Sequence, residues 1–331
     1  MSRRTVRATP QDDGQRADVV LGRRLDGVSR RSARQLGLRG RLFIDGHPRA
    51  PSTRVTTGQD VALQWPDEAP APHLDLLALT PRIVYVAKPC GVHTHRLRPD
   101  DPPSVADSVV ARFPECASAS EHAREMGALH RLDAPTSGVL AFARDRETWR
   151  AGRAAFDARA VDKLYLAVSQ AGPRAPWPPR GLGLAPPAPD ASPTLGAGVR
   201  VDLPLGDGSA GQVIARPDGR AAHTDVWAIA LQREATCTRG IFLLRLHSGH
   251  RHQARAHLAT VGWPICGDPR YPAPGPALPS PRLLLHALSL DLSGALPGER
   301  RVICPWPIAF RTAWARMRHS PRRRVDRFAG G

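Results

Sequence analysis

The spacing of apolar residues changes from segment to segment along the 331-residue chain, and each change marks an element. Val20, Leu21 and Leu25 follow helical spacing within Gly14–Leu25. Ser29 stands where it can cap a second helix, Arg30 to Leu38, with Gly40 closing it. Arg41–Gly46 reads as a strand running into an Asp-Gly turn, and Gly58–Trp65 as a strand that ends this small unit. Pro66–Pro81, rich in Pro, Ala and acidic residues, reads as a linker. Ile83–Ala87 is a strand, the run Val139–Ala143 is a buried strand, and Lys163–Val168 is another. Residues 146–160 form an amphipathic helix with Trp149, Arg153 and Phe156 at helical spacing. Ala171–Pro193 is Pro-rich without periodicity and reads as an exposed or disordered loop. Strands resume near Ala222–Ile229 and Ile241–Leu246. His252 and Arg255 lie three apart on a segment that reads as a helix ending at Gly262, which puts them on one face.

Composition narrows the class. No run of 18 apolar residues exists, so no membrane span is expected, and the N-terminus lacks the apolar stretch of a signal peptide. Five scattered cysteines, never in C-x-x-C spacing, argue against a disulfide framework and suit a reducing cytoplasm. The net charge is +17, and residues 1–65 hold 13 Arg against 6 Asp. That surplus predicts a polyanionic partner bound more weakly as salt rises. Lysine occurs only twice, at Lys88 and Lys163, among 47 basic residues. A compact ammonium does work that a planar guanidinium cannot, so both positions are candidates for sites where arginine does not fit.

The candidate chemistry centres on His130-Arg-Leu-Asp-Ala-Pro-Thr-Ser-Gly138. It sets Asp133 between a His-Arg pair and a Thr-Ser-Gly turn, just ahead of the buried strand. Taken alone, Asp133 is as well explained by a salt bridge to Arg131 or Arg146 as by catalysis. His93, His95, His250 and His252 have no Cys or Glu at ligand spacing, so no metal site is expected.

The segment resembles the HRLD-x-x-TSG signature of the RluA family of RNA pseudouridine synthases. Ala87-Lys-Pro-Cys-Gly91, Lys163–Val168, His247–His257, Gly262–Tyr271 and Leu285-His-Ala287 resemble further elements of that family, in its order. Both lysines fall inside two of them. Ala87 replaces the family's Asn, His250 stands where it has Arg, and Ala254 replaces a larger apolar residue. Residues 14–65 are similar to an S-four-like RNA-binding domain, named after a small-subunit ribosomal protein, through Gly14-x-Arg16-x-Asp18, Ser29-Arg30 and Gly40–Gly46.

The resemblance implies an α+β chain: a pseudouridine synthase domain with a mixed, largely antiparallel central sheet, and a small αβ module. The expected boundaries are a basic arm at 1–13, the S-four-like domain at 14–65, the linker at 66–81, the catalytic domain at 82–310 and a basic tail at 311–331. It makes Asp133 the catalytic nucleophile or base, Arg255 its ionising partner, and Tyr165 the aromatic that stacks on uracil and reaches the carbon-5 proton. Substrate contacts fall to Lys88, His130, Arg131, Thr136, Ser137, Gly138, Lys163, His252 and Gln253, with Arg131 a candidate to prop the space of a flipped uridine. Arg16, Arg30, Arg31, Arg34, Arg39 and Arg41 are the expected RNA contacts of the small module. The isomerisation involves no redox change, so no cofactor or metal is expected. The expected partner is RNA, ribosomal before transfer RNA, for a cytoplasmic monomer without a membrane. Two alternatives stand beside this: an inactive RNA-binding assembly factor of the same fold, and, more remotely, a hydrolase using Asp133 with His130.

Overall fold

In a computed structural model, residues 3–26, 28–64, 71–98, 101–179, 181, 184–185, 198–274 and 282–317 are described. The chain divides into two units, one of residues 1–73 with 95–108, the other of 74–94 with 109–331.

The first unit holds strand β1 (Arg3–Arg7), helices α1 (Ala17–Arg24) and α2 (Arg30–Leu38), and strands β2 (Leu42–Ile44), β3 (His47–Pro48) and β4 (Asp60–Gln64). The strands pair in the order β1-β4-β2-β3. Ser29 accepts the Ser32 amide at the start of α2, a cap that contributes about 1 kcal/mol. Asp45 and Gly46 both take positive φ, 49° and 81°, which is the two-residue turn expected of Asp-Gly. Val20, Leu21, Ala33, Leu36, Leu42, Val61 and Leu63 form the core. A Cβ on Gly22 would lie 2.5 Å from the Arg30 backbone nitrogen, so α1 and α2 meet where only glycine fits.

Two boundaries are corrected here. Residues 3–7 are not a free arm: all five pair with β4, from Arg3 opposite Gln64 to Arg7 opposite Asp60. A sheet edge studded with arginine resists pairing with other chains, and that polarity hid the strand. Residues 95–108 group with the small unit, where Ser108 Oγ donates to Pro72 O at 2.7 Å.

The second unit runs through β5 (Asp75–Leu79), β6 (Ile83–Lys88), α3 (Val105–Arg112, whose first turn belongs to the small unit), β7 (Ser137–Ala143), α4 (Arg146–Asp157) and β8 (Asp162–Ala171). It continues with β9 (Leu184–Ala185), β10 (Gly198–Asp202), β11 (Leu205–Asp207), β12 (Val213–Ala215), β13 (His223–Arg233) and β14 (Thr238–Leu246). Helix α5 (Gln253–Thr260), β15 (Leu285–Asp291), β16 (Val302–Ile303) and α6 (Ile308–Met317) complete it. The main sheet has the order β5-β6-β7-β15-β8-β14-β13-β10-β9, with β16 on β15, and β11-β12 form a separate ribbon. Every pairing is antiparallel except β7 with β15, so the sheet is mixed and largely antiparallel. All seven residues of β7 are buried, as its unbroken apolar run requires.

Three expectations change in this unit. Residues 75–79 of the expected linker are β5, paired with β6; residues 65–70 lie outside the described residues. The Pro-rich segment opens with an anchor: Trp177 packs on Phe242 and Trp263 at ring distances of 4.7 and 5.9 Å, and the Trp263 indole donates to Pro176 O. Residues 186–193 of that segment lie outside the described residues. The tail begins as helix, with Ala313 buried and Trp314 packed on the core, while 318–331 lie outside the described residues.

Candidate active site

The loop ahead of β7 carries Asp133, and its shape is set from below. Thr136 N donates to Asp133 O at 2.9 Å, closing a turn, and Gly91 N donates to Ala134 O. Lys88, at the end of β6 and 1% exposed, points its ammonium into that turn. Nζ donates to Pro89 O, Ala134 O and Thr136 O at 2.9, 2.9 and 2.7 Å, so each of its hydrogens has an acceptor. Burial pushes its pKa down to about 7, against the opposing pull of Cys90 and Asp133. Thr94 Oγ1 accepts from Leu132 N and donates to Leu132 O, fixing the residue before Asp133.

Gly138 has φ +127°, and a Cβ there would lie 2.2 Å from Ala287 O, where β7 runs beside β15. Only glycine allows that approach. Ser137 Oγ lies 3.0 Å from His286 Nδ1 and accepts from Arg282 Nη2 at 3.1 Å.

The opposing wall comes from the segment between β14 and α5. Lys163 on β8 is buried and donates to Ser248 O at 3.1 Å, and burial pushes its pKa down to about 8. Gln253 uses all of its amide: Oε1 accepts from Ser248 Oγ and His250 N, and Nε2 donates to His223 O and Thr224 Oγ1. Each lysine therefore ties one site-bearing segment to the sheet through backbone carbonyls. A point-charge ammonium does this where a planar fork of five donors does not.

Between these walls a guanidinium joins two carboxylates. Arg255 on α5 donates Nε and Nη2 to Asp268 at 2.7 and 2.8 Å, and Nη1 to Asp133 Oδ2 at 3.0 Å. Its side chain is 2% exposed. Burial disfavours the cation, but Asp268 and then Asp133 outweigh it and raise the pKa. Asp133 Oδ1 takes no hydrogen bond among the described residues. The carboxylate is thus oriented through one oxygen and open at the other. His252 Nε2 lies 3.7 Å from Asp133 Oδ2. It does not share a helical turn with Arg255: it is the residue before α5, with a left-handed backbone of φ 57°. The helical period alone does not reveal such a break. Tyr165 on β8 is partly buried, and burial together with the Asp133 charge raises its phenol pKa, so it stays a neutral donor.

The expected site residues therefore separate into two sets. Asp133, Arg255 and His252 are in contact, with Tyr165 within their field. Arg131 is exposed and makes no hydrogen bond or ion pair among the described residues. Lys88, Ser137, Gly138, Gln253 and the Thr136 backbone have their polar atoms or space taken within the fold, and Lys163 gives one of its three hydrogens to Ser248 O. His130 is held within the fold as well: its ring stacks on Phe156 at 4.9 Å, its Nε2 accepts from Ala141 N, and burial pushes its pKa down to about 3. In the small unit Arg16 gives its fork to the buried Asp18 at 3.0 and 2.9 Å. Arg30, Arg31, Arg34 and Arg39 stay exposed, and Arg41 is half-buried.

Two residues had no role assigned from sequence. Asp268 fixes Arg255, and Tyr271 lies under the Arg255 guanidinium, 5.4 Å from ring centre to the central carbon. Both stand in Gly262–Tyr271, so the motif held the signal, but only the fold shows what they face.

Comparison with known proteins gives a consistent answer. Residues 82–260 match the family described as RNA pseudouridylate synthase. An uncharacterized RNA pseudouridine synthase of Mycobacterium bovis is 30% identical over 319 residues, covering 91% of this chain and 94% of its own length. Ribosomal large subunit pseudouridine synthase D of Pseudomonas aeruginosa is 25% identical over 307 residues, covering 87% of each chain. Among solved structures, human RNA pseudouridylate synthase domain containing 4 aligns with a TM-score of 0.52 at 21% identity, over 74% of this chain and 93% of that one, a likeness of fold.

Proposed function

The chain belongs to the RNA pseudouridylate synthase family, and from that premise we propose that Asp133 is the carboxylate that acts on the ribose of a target uridine in structured ribosomal RNA. The enzyme is an isomerase acting on RNA. Its reaction breaks the bond from uracil N1 to ribose C1′ and makes one from C5 to C1′. The hydrogen on C5 is lost and N1 gains one, so atoms and electrons balance without a redox partner.

The observation that carries the assignment is the asymmetry of Asp133. Arg255 holds Oδ2 at 3.0 Å, while Oδ1 is left open among the described residues. A fixed carboxylate with one open oxygen suits attack at C1′ or removal of a ribose proton. Arg255 in turn is fixed by Asp268, so the geometry is set before RNA arrives. Tyr165 offers a ring for the base and a neutral phenol for the proton at carbon-5. Arg131 lies beside Asp133 with its guanidinium exposed, where it can prop the gap a flipped nucleotide leaves.

Ribosomal RNA is favoured by the name of the Pseudomonas relative and by the small unit, read as an S-four-like module. The exposed Arg30, Arg31, Arg34 and Arg39 of α2 and its end give that module a basic face. The test is Asp133→Asn. Incubated with total RNA and mapped for pseudouridine, the wild type converts discrete uridines, and the variant converts none while keeping RNA affinity. Substantial conversion by the variant overturns the assignment.

A further inference from the structure

We infer that His252 is the residue that recognises the 2′-hydroxyl of the target uridine, through a lone pair on Nε2, and so makes the site select ribose over deoxyribose. The inference rests on the proposed role of Asp133 at the ribose.

The argument is an accounting of hydrogens. Tyr271 Oη donates its one proton to Val213 O at 2.8 Å and accepts from Val213 N at 2.8 Å. At its 3.4 Å contact with His252 Nδ1 it has only a lone pair left, so Nδ1 carries the proton there. The neutral ring is favoured: burial lowers its pKa, and Arg255, Arg251 and Arg270 add to that against the pull of Asp133. A neutral ring protonated on Nδ1 presents an acceptor at Nε2. That nitrogen is 3.7 Å from Asp133 Oδ2, and neither atom supplies a hydrogen to the other. Its side chain is 9% exposed. Asp133 Oδ2 has its donor in Arg255, so Nε2 is the acceptor left without one beside the carboxylate, and a donor from the substrate would complete it.

The chemistry of RNA limits which donor that is. Within a chain the 3′ and 5′ oxygens are phosphate esters, so the 2′-hydroxyl is the only O–H on the sugar. It is bonded to C2′, next to C1′, and thus lies beside Asp133 whether the carboxylate attacks C1′ or takes a proton from C2′. The one N–H donor of uridine, at N3, belongs to the base and is separated from C1′ by N1 and C2. The left-handed backbone at position 252 places the ring, and histidine tolerates that conformation better than most residues. A site built to bond a hydroxyl rejects an analogue that lacks it.

The test uses a synthetic RNA spanning a uridine mapped as modified in total RNA, made with either uridine or 2′-deoxyuridine at that position. Single-turnover conversion is measured for wild type, His252→Ala and His252→Gln. Removing the hydroxyl changes the intrinsic reactivity of the sugar equally for all three enzymes, so the ratio of the two substrates isolates the contact. The wild-type preference for uridine is expected to fall by about tenfold or more in His252→Ala. It is expected to persist in His252→Gln, whose amide oxygen restores an acceptor and whose backbone strain matches that of Ala. An unchanged ratio in His252→Ala, whatever its absolute rate, overturns the inference and leaves Asp133 untouched. Absence of any product from wild type and uridine overturns the function proposed above, and this inference with it.

Discussion

Arg255 and Asp268 form a two-pronged pair, at 2.7 and 2.8 Å, buried in the second unit. With Nε and Nη2 committed to Asp268, the guanidinium plane is fixed and one Nη1 hydrogen is aimed at Asp133. Asp268 also accepts from Arg270 N at 2.9 Å and Tyr271 N at 3.3 Å, which locks its own rotamer.

Replacing Asp268 with Asn keeps the shape but removes one acceptor and the charge. Arg255 then tilts, and the carboxylate it orients moves with it. Single-turnover conversion is expected to fall by about 10²-fold, the cost of a misplacement near 1 Å. RNA affinity, measured by filter binding, stays within a few-fold of wild type. A conversion rate equal to wild type would show that Asp133 does not depend on this pairing. Asp268→Ala goes further, leaving a buried cation half-paired, and is expected to cost about 3–5 kcal/mol of stability in urea unfolding.

Lys88 makes a second, separable prediction. Lys88→Met leaves the carbonyls of Pro89, Ala134 and Thr136 without their shared donor in a buried place. A loss of about 1–3 kcal/mol is expected for leaving such a group unsatisfied, together with slower conversion because the Asp133 turn loosens. Lys88→Arg is expected to be no better, since the guanidinium cannot be packed where each ammonium hydrogen meets a carbonyl. Thermal midpoints and single-turnover rates of both variants check this. Full rescue by arginine would mean that charge alone, not shape, selected lysine.

These relationships show what was legible in the sequence. The helix Arg30–Leu38 and its Ser29 cap were readable because capping and turn chemistry are local. So was Asp133 before a buried strand, because β7 is one apolar run. The strand Arg3–Arg7 was not, because an exposed edge strand carries no alternation: only Val6 packs inward. The strand Asp75–Leu79 hid between prolines and reveals itself only through its partner β6. His252 and Arg255 do meet at Asp133, but not by sharing a helical face, since His252 sits in a left-handed turn that periodicity cannot report. Ser137, Gln253 and His130 lie in motif positions that suggest substrate. Their hydrogen bonds, to residues as far as 149 positions away, show that they hold the framework.

Acid should unfold the second unit through its buried imidazoles. Burial pushes His257 and His286 down to about 4, each partly offset by a carbonyl it bonds, Leu203 O and Cys304 O. Both folded values lie below the unfolded value near 6.5. The unfolded chain therefore binds protons that the folded chain refuses between about pH 6.5 and 4. Stability from these groups is complete above that window and is lost as pH falls through it, by about 1.4 kcal/mol per pH unit per histidine. Urea midpoints taken at pH 7, 6 and 5 should decline, before most carboxylates titrate. His257→Gln should flatten the decline. Midpoints that do not move between pH 7 and 5 would rule out both imidazoles as the acid-labile groups.

The basic face of α2 gives the last prediction. Arg31 and Arg34 are exposed and make no ion pair or hydrogen bond among the described residues, whereas Arg16, Arg23 and Arg24 are spent on the buried Asp18 and Asp12. The two sets carry charge of the same sign but offer different chemistry. The free pair can each take a phosphate and release its counterions, while the paired set would first have to abandon a buried carboxylate. Each phosphate contact contributes about 0.7–0.9 to the slope of log affinity against log salt. Arg31→Ala with Arg34→Ala should therefore lower that slope by about 1.4–1.8, and weaken binding to matched and unmatched RNA alike. Arg23→Ala should leave the slope nearly unchanged and lower stability instead. Titrations of ribosomal RNA fragments from 50 to 200 mM salt distinguish the two. An unchanged slope in the double variant would remove α2 from the RNA interface, without touching the assignment of Asp133.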